Sequence, residues 1–507
     1  MAEAVVEERQ LLKTLRWYDG FVICLANPGF LLGSLGNSVL DMGGWGAMLI
    51  WGITALIIVP VTIIYSELAA MFPHKSGGLS IYANEGWRKY TTLVGPIATF
   101  GYWIGWSVVL AFLGLFTGSI AQAAWFPGQP YGTSAFGGKT LDNGYFSTGT
   151  VHIGLQHLIG IGLIVAVWIF NVLGTRIAVS FAYLAGLLLM VPLFCFTLLP
   201  FLNGDFHSAN LTYKLNDPGL AWGGWQLALV WIWLMIWSTA PEAAATFAPE
   251  YKDTVRDTRK ALLSSAAFIV LINTVVPLSL TGGVGEKTVS GFDYVGALDK
   301  LVGSGATNFF VVVMCFSFVL SMNTATADGS RALYAISKDG LTIKELGVLN
   351  RFNVPGNAMS LDMVINILFV LFVGNIFGIL AASNIGYVLA NAFAISAFVL
   401  LRRDRPNWPR PIKLPSYWIP IAVVLFAAFI VFSVVGIGWF QIAAGGYGKG
   451  AQIKIIGFAV LAISFLLFLF RRIVQDKERP HWREETPTMP EEAPSPAVVG
   501  APGVSAR

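Results

Sequence analysis

Ala26-Asn27-Pro28-Gly29-Phe30 interrupts an apolar run over residues 17–40, and Trp237-Ser238-Thr239-Ala240-Pro241-Glu242 interrupts another over residues 222–249. Each run is long enough to cross a bilayer as a helix. A helix in lipid must satisfy its own backbone hydrogen bonds, so irregular backbone at that depth survives only where protein buries it or a cavity solvates it. Paired interruptions in corresponding parts of a chain point to the binding site of a secondary transporter. The two breaks therefore predict a polytopic membrane protein that moves a small solute.

Composition supports this reading. Of the 507 residues 55% are hydrophobic and 12% charged, against about 25% charged in soluble domains, and the mean hydropathy is +0.68. Segments 153–170 and 455–470 are apolar all round, which disfavours a soluble helical enzyme. The net charge of +4 is spread over loops and forms no patch for nucleic acid. Cys24, Cys195 and Cys315 lie in apolar runs without metal-like spacing, and the five histidines are scattered. No cofactor and no zinc or haem site is expected. No phosphate-loop signature is present, which disfavours ATP-driven pumping. Residues 1–18 are charged and polar, so no cleavable signal peptide is expected.

Runs of about twenty apolar residues predict twelve spans. They cover 17–40, 43–71, 92–124, 153–172, 178–201, 222–249, 260–282, 307–336, 358–378, 380–401, 416–438 and 452–473. With an even number, both termini share one side. If that side is cytoplasmic, only Lys139, Lys214, Lys287, Lys300, Lys449 and Lys454 fall outside, and no arginine does. The expected plan is a cytoplasmic segment 1–16, a transmembrane domain 17–473 and a disordered cytoplasmic tail 474–507 rich in Pro, Glu and Ala. Within the domain the first five spans cover 17–201, the next five 222–401 and the last two 416–473. Residues 126–151, rich in Gly, Ser and Thr, read as an extracellular loop.

Three local patterns carry a resemblance. The second span ends Tyr65-Ser66-Glu67-Leu68-Ala69-Ala70-Met71-Phe72-Pro73, followed by Ser76-Gly77-Gly78 and Tyr82. The sixth holds Pro241-Glu242-Ala243-Ala244 and Glu250-Tyr251-Lys252-Asp253. After the eighth comes Ser330-Arg331-Ala332-Leu333-Tyr334-Ala335-Ile336-Ser337-Lys338-Asp339-Gly340, then Val354-Pro355. Over residues 14–475 the chain resembles the amino acid–polyamine–organocation (APC) superfamily of permeases. The resemblance implies an all-α integral membrane protein with the leucine-transporter fold. In that fold spans 1–5 and 6–10 are inverted repeats (5+5), and helices 1 and 6 are broken at mid-membrane. It also implies transport of an amino acid or related amine by alternating access. Two departures stand out: the first break lacks the family's glycine-rich run, with Ala240 also standing where glycine is usual in the second, and the fifth span carries no lysine.

Half-helices that begin at a break aim unpaired N–H groups and a positive dipole end at the gap, where a carboxylate binds without any arginine. Pro28 removes one backbone donor from the helix ladder and Gly29 permits close approach. Asn27, Pro28, Gly29, Phe30 and Gly33 are the expected substrate-binding residues of the first break. Ser238, Thr239, Ala240 and Glu242 are those of the second, with Trp237 as gate or pocket wall. Tyr102 and Trp106 of the third span complete the set; Trp103, Asn384, Tyr387 and Asn391 are weaker lining candidates. A packing kink and ordinary interhelical contacts are the plainer alternatives. Glu242, a carboxylate at bilayer depth, can bind a substrate ammonium, carry a proton or bridge unwound backbone.

On the eighth span Ser317, Ser321, Thr324 and Asp328 recur every three or four residues and share a face. Hard cations take oxygen ligands, so Ser321 and Thr324, with Asp328, are candidates for sodium or proton coupling. For Asp328 the alternative is an ion pair with Arg331 three residues on. Glu67 and the turn 72–78 read as a structural latch that pairs with loop arginines.

The expected function is secondary active transport of a zwitterionic amino acid across the plasma (inner) membrane. A polyamine or small-amine permease and a transporter-like nutrient sensor are the alternatives. The expected partners are the small-molecule substrate and the lipid bilayer, with no nucleic acid; oligomeric state stays open, and the coupling ion is proton or sodium.

Overall fold

The computed structural model describes residues 11, 13–25, 27–130, 132, 144–148, 151–215, 220, 222–372, 376–443, 450–485 and 487. The chain is almost wholly helical. In order come α1 (Trp17–Cys24), α2 (Asn27–Met71), α3 (Leu79–Trp87), α4 (Val94–Ser107), α5 (Val109–Trp125), α6 (Leu155–Val172) and α7 (Thr175–Leu202). Then follow α8 (Gly224–Thr239), α9 (Ala243–Thr246), α10 (Thr254–Val284), α11 (Glu286–Ser290), α12 (Tyr294–Val302) and α13 (Ser304–Lys338). The last are α14 (Gly356–Phe372), α15 (Ile376–Asp404), α16 (Trp418–Trp439) and α17 (Gly450–Phe470). The one sheet among the described residues is a hairpin, β1 (Phe146–Thr148) against β2 (Val151–Ile153), in the segment read as an extracellular loop.

Among the described residues nine helical stretches are long and apolar enough to cross a membrane, and α8 and α14 are shorter apolar helices. This is a multi-pass membrane protein. The first stretch, Trp17–Met71, is bent at Gly43, whose φ of 72° and ψ of 173° no helix accommodates. Glycine adopts that backbone freely. The exposed N–H of Gly44 then finds the Glu286 carboxylate at 2.6 Å.

Burial separates the inner helices from the lipid-facing ones. The best window of Val94–Trp125 is 94% buried, that of Ile453–Gln475 only 22%. On α16 and α17 Val424, Val434, Ile455 and Leu466 stay exposed, as side chains against lipid must be. Close packing of the inner helices depends on small residues. Gly101 of α4 touches Gly386 of α15 backbone to backbone, and Gly114 of α5 touches Gly160 of α6 in the same way.

Most expected spans recur within a few residues, and one boundary needs correction. Helix α14 ends at Phe372 and α15 starts at Ile376, so residues 376–378 belong to the second of the pair and not to the first. The run there is uncharged, and hydropathy alone passes straight through the boundary. The tail beyond residue 487, residues 1–10 and most of 131–143 lie outside the described residues.

The described arginines gather at one end of the bundle, hereafter the basic end. There Glu67 accepts from Arg402 at 3.0 and 2.5 Å and from the Leu414 backbone at 2.7 Å, and Arg410 approaches it at 3.3 Å. The expected latch is present.

Candidate functional site

Helices α1 and α2 meet at the first break, α8 and α9 at the second, and the two breaks abut. The Cys24 thiol donates to the Pro241 carbonyl at 3.6 Å. Helix α8 stops at Thr239 because Ala240 turns into the left-handed region, φ 28° and ψ 47°. An L-residue with a Cβ is strained there. Ser238 and Thr239 donate their hydroxyl hydrogens back to Met235 and Ile236 at 2.7 Å, so only their oxygen lone pairs face outward. The backbone of α2 begins at Asn27, while Ala26 and the side chains of Asn27 and Pro28 lie outside the described residues.

Around the breaks stand aromatic rings from five helices. Phe30 lies edge-on to Trp237 at 5.1 Å and to Trp106 at 5.7 Å. Phe112 of α5 meets Trp237 at 5.9 Å and presses against Gly33, where a Cβ would fall 2.6 Å from its ring. Gly33 thus makes room for a ring. Tyr102 stacks on Tyr387 of α15 at 5.9 Å. The indole N–H groups of Trp106 and Trp237 are buried and find no hydrogen-bond partner among the described residues, an uncommon condition for a buried donor.

Two carboxylates sit at the ends of that tyrosine stack, both nearly or wholly buried. Glu242 accepts a hydrogen bond from the Tyr387 hydroxyl. Asp328 accepts from the Tyr102 hydroxyl at 2.5 Å and from Thr246 of α9. The ion pair weighed between Asp328 and Arg331 gives way to another, because Arg331 turns to Glu250 at 2.5 and 3.1 Å, both 1% exposed. The rigid guanidinium fork matches a carboxylate on both arms, and Glu250 follows α9 closely enough to receive it.

The hydroxyl face of α13 meets the first break as its periodicity predicts. Thr324 donates to the Ile23 carbonyl of α1 at 2.9 Å. Ser321 lies against Gly29, leaving no room for a Cβ there. Its neighbour on the face, Ser317, bonds back to Met314 at 2.6 Å. Oxygen atoms from α1 and α13 are thus adjacent, a donor set of the type that hard cations take. Among the described residues no cluster of three His, Cys, Asp or Glu side chains forms a metal site.

The structure draws in residues that the sequence reading left aside. Phe112 and Thr246 carry no motif. Tyr387 ranked as a lining candidate, but its hydroxyl turns out to hold Glu242. Asp362 of α14, fully buried, accepts from the Trp103 indole at 2.7 Å beside Asn366 and Ser107. A charged residue in the apolar ninth run was the available signal. Asn384 donates to the Trp233 carbonyl at 2.6 Å and Asn391 accepts from Tyr65 at 2.8 Å, so both serve contacts between helices.

The two ends of the bundle differ. At the basic end Lys75 bonds Glu85 at 2.7 Å and Asp339 at 3.1 Å, and Arg405 bonds Glu85 at 2.6 Å. Burial opposes charge on Glu85, yet Lys75, Arg405 and Arg88 together hold its carboxyl at about 2; burial prevails at Asp339 and pushes it up. At the opposite end Phe116 packs on Phe292, Tyr294 and Phe318, and the Tyr294 hydroxyl donates to the Leu32 carbonyl at 2.6 Å.

The profile described as amino acid permease matches residues 20–465. The chain is similar to the amino-acid permease RocE of Bacillus subtilis (strain 168), 24% identical over 70% of this chain and 72% of the relative. It is also similar to the glutamate/serine transporter AimA of that organism, 22% identical over 76% of this chain and 71% of the relative. The branched-chain amino acid permease BcaP, likewise from B. subtilis, is 24% identical over 40% of this chain and 43% of the relative. Two abutting helix breaks inside a multi-pass bundle agree with that match, and the chain belongs to the amino acid permease family.

Proposed function

We propose that this permease carries a zwitterionic amino acid across the plasma membrane by secondary active transport, with the site between the two breaks exposed to each side in turn. The observation that carries the reading is the contact of the two interruptions within the buried centre. The start of α2 at Asn27 and the break at 240–242 offer backbone donors and a positive helix end to a carboxylate. Phe30, Trp106, Phe112 and Trp237 wall the space beside it, and the unpartnered indole N–H groups are donors that a ligand acceptor would complete. Glu242 is engaged with Tyr387, which favours a positioning role over direct capture of a cationic side chain.

Dividing the first stretch at Gly43 and adding α8 and α14 gives twelve spans. We read these as the leucine-transporter arrangement, with inverted repeats over spans 1–5 and 6–10. The arginine bias supports a cytoplasmic basic end, with both termini inside. Two coupling routes fit the residues: sodium at the oxygens of Ser321, Thr324 and Ile23, or a proton on the buried Asp328 or Glu242.

The test is uptake of radiolabelled neutral amino acids into proteoliposomes, with sodium and pH gradients imposed separately. Saturable uptake with counterflow of unlabelled substrate is expected. Conductance without saturation, or no uptake of any amino acid, would overturn the proposal. Loss of the sodium response alone in Thr324→Val would assign the ion to α13.

A further inference from the structure

The third span parts at Val108, between α4 and α5. In an unbroken helix the Ala111 N–H donates to the Ser107 carbonyl, four residues back. Here it donates to the Asn366 side chain of α14 at 3.1 Å. A side chain inserted into the ladder in this way bends a helix. Asn366 is held in place for it, since its amide also donates to the Ser107 hydroxyl at 2.9 Å and to the Asp362 carbonyl at 2.8 Å. Trp106 and Phe112, two rings that wall the central site, stand on either side of the bend.

Asp362 sits in this network and is fully buried. The Trp103 indole donates to its Oδ1 at 2.7 Å, and its Oδ2 has no hydrogen-bond partner among the described residues. An ionised carboxylate accepts about four hydrogen bonds, and burying one without them or a counter-charge is costly. The neighbouring elements supply no free cation. Asp362 is the one ionisable residue of α14, and α5 has none. Tyr102 of α4 bonds Asp328. On α6 Trp168 bonds Ser360 of α14 at 3.1 Å, and His157 stands about three turns from Trp168. His152 of β2 bonds Ser147, Lys344 pairs with Asp476 and Glu345 accepts from Gln475. On α13 Gly329 lies against Oδ2, where a Cβ would come within 3.6 Å; beside it Asp328 is held by Thr246 and Arg331 by Glu250. A cavity of about 10 Å³ lies one turn along α14, lined by Met359, Ala327, Asn171 and Arg331. It has room for about one water, and the Asn171 Oδ1 beside it is a buried acceptor without a partner among the described residues.

We propose that Asp362 is a proton-binding site, separate from Asp328 and Glu242, and that its proton sets the bend of the third span. As the neutral acid it needs no counter-charge and fits the network as it stands. Loss of the proton creates a buried charge whose available donors are the Ser107 hydroxyl and the Asn366 amide. Both hydrogens of that amide are already in use. Drawing either donor towards the carboxylate pulls on the Asn366–Ala111 bond, and Trp106 and Phe112 move with the bend. The small cavity beside Met359 gives the proton a step between α14 and the basic end. The coupling of the proton to solute movement rests on the transport reading above; proton binding does not.

The test is infrared titration of the purified full chain, read at the carbonyl stretch of a protonated carboxyl. The parent, Asp362→Asn and Asp362→Glu are compared from about pH 5 to about pH 9, with melting temperature as the control on folding. Expected is a band in the parent that fades as pH rises, is missing in the Asn variant and returns at a shifted frequency in the Glu variant. In proteoliposomes, accumulation driven by a pH gradient should fall about ten-fold in the Asn variant and recover in part in the Glu variant. Counterflow in the Asn variant should persist without pH dependence. The same band in the parent and the Asn variant, or a band that ignores pH throughout, would overturn proton binding. If the Asn variant does not fold, the Glu variant decides, because its added methylene moves the band only if the band belongs to residue 362. Equal gradient-driven accumulation in the parent and the Asn variant would overturn the coupling. The titration requires no substrate, so its outcome is separate from any failure of the transport reading.

Discussion

At one end of the bundle Phe116 meets Phe292, Tyr294 and Phe318 ring against ring, whereas at the basic end Arg331 and Glu250 form a buried ion pair and Lys75, partly exposed, pairs with Glu85 and Asp339. In the proposed transport cycle each arrangement would close one side of the central site. Parting an aromatic contact exposes apolar area and costs in proportion to it. Parting a buried ion pair strands two charges unless water reaches them, and that cost is far larger for each group. The ring-sealed end should therefore open gradually and ignore salt and pH, while the ion-paired end should open together with its hydration and respond to both.

The largest effect is expected where a single charge is left alone. Glu250→Gln strands the Arg331 guanidinium in the interior and should cost about 3–5 kcal/mol, read as a fall in apparent melting temperature. Combining it with Arg331→Met should recover most of the loss. If the single variant melts like the parent, the ion pair does not hold this end.

A pH response comes next. The folded carboxyl of Glu85 is held at about 2 against an ordinary 4.5, so its contribution to stability is complete above pH 4.5 and is lost as pH falls towards 2. Melting temperature should drop over that window, and Glu85→Gln should flatten the profile there. An unaltered slope in the variant would remove Glu85 from the account.

At the opposite end Tyr294→Phe deletes only the hydrogen bond to Leu32, worth about 1 kcal/mol. Thiol-reagent access near Phe292 should rise and access at the basic end should stay constant. Access rising at both ends would mean that the two closures are not independent.

The smallest change is at the centre. Ala240→Gly relieves a left-handed alanine, a gain of about 1–2 kcal/mol, offset by about 0.5–1 kcal/mol of extra freedom in the unfolded chain. A net stabilisation of about 0.5 kcal/mol with no altered access at either end is the expectation for melting and labelling measurements.

The two breaks were legible in the sequence because Pro28-Gly29 and Pro241-Glu242 are local offences against a membrane helix, visible without knowing any neighbour. The hydroxyl face of α13 was legible from helical period, and the Glu67 latch from a buried acid with arginines in nearby loops. Pairing across the fold was not. Asp328 has Arg331 one turn away in sequence, yet Arg331 reaches Glu250 with two arms of its guanidinium, a fork geometry that only the folded chain reveals. Tyr387 read only as a weaker lining candidate beside ordinary interhelical contacts. Its role depends on Tyr102 and Glu242, which lie far away in the chain. The boundary between α14 and α15 escaped notice for a simpler reason, since the run there carries no charge to lower the hydropathy.

The central claim is that a carboxylate binds at the abutting breaks with its side chain among Phe30, Trp106 and Trp237. The most direct measurement is thermal stabilisation of the purified permease by matched pairs, each neutral amino acid against its decarboxylated amine. A ligand that binds the folded state raises its apparent stability by mass action. The account predicts stabilisation by at least one amino acid, none by its amine, and loss of the effect in Trp237→Ala, read as the ligand-induced shift from that variant's own, lower basal melting temperature. Stabilisation by the amine alone would contradict it and move the substrate to the cationic class.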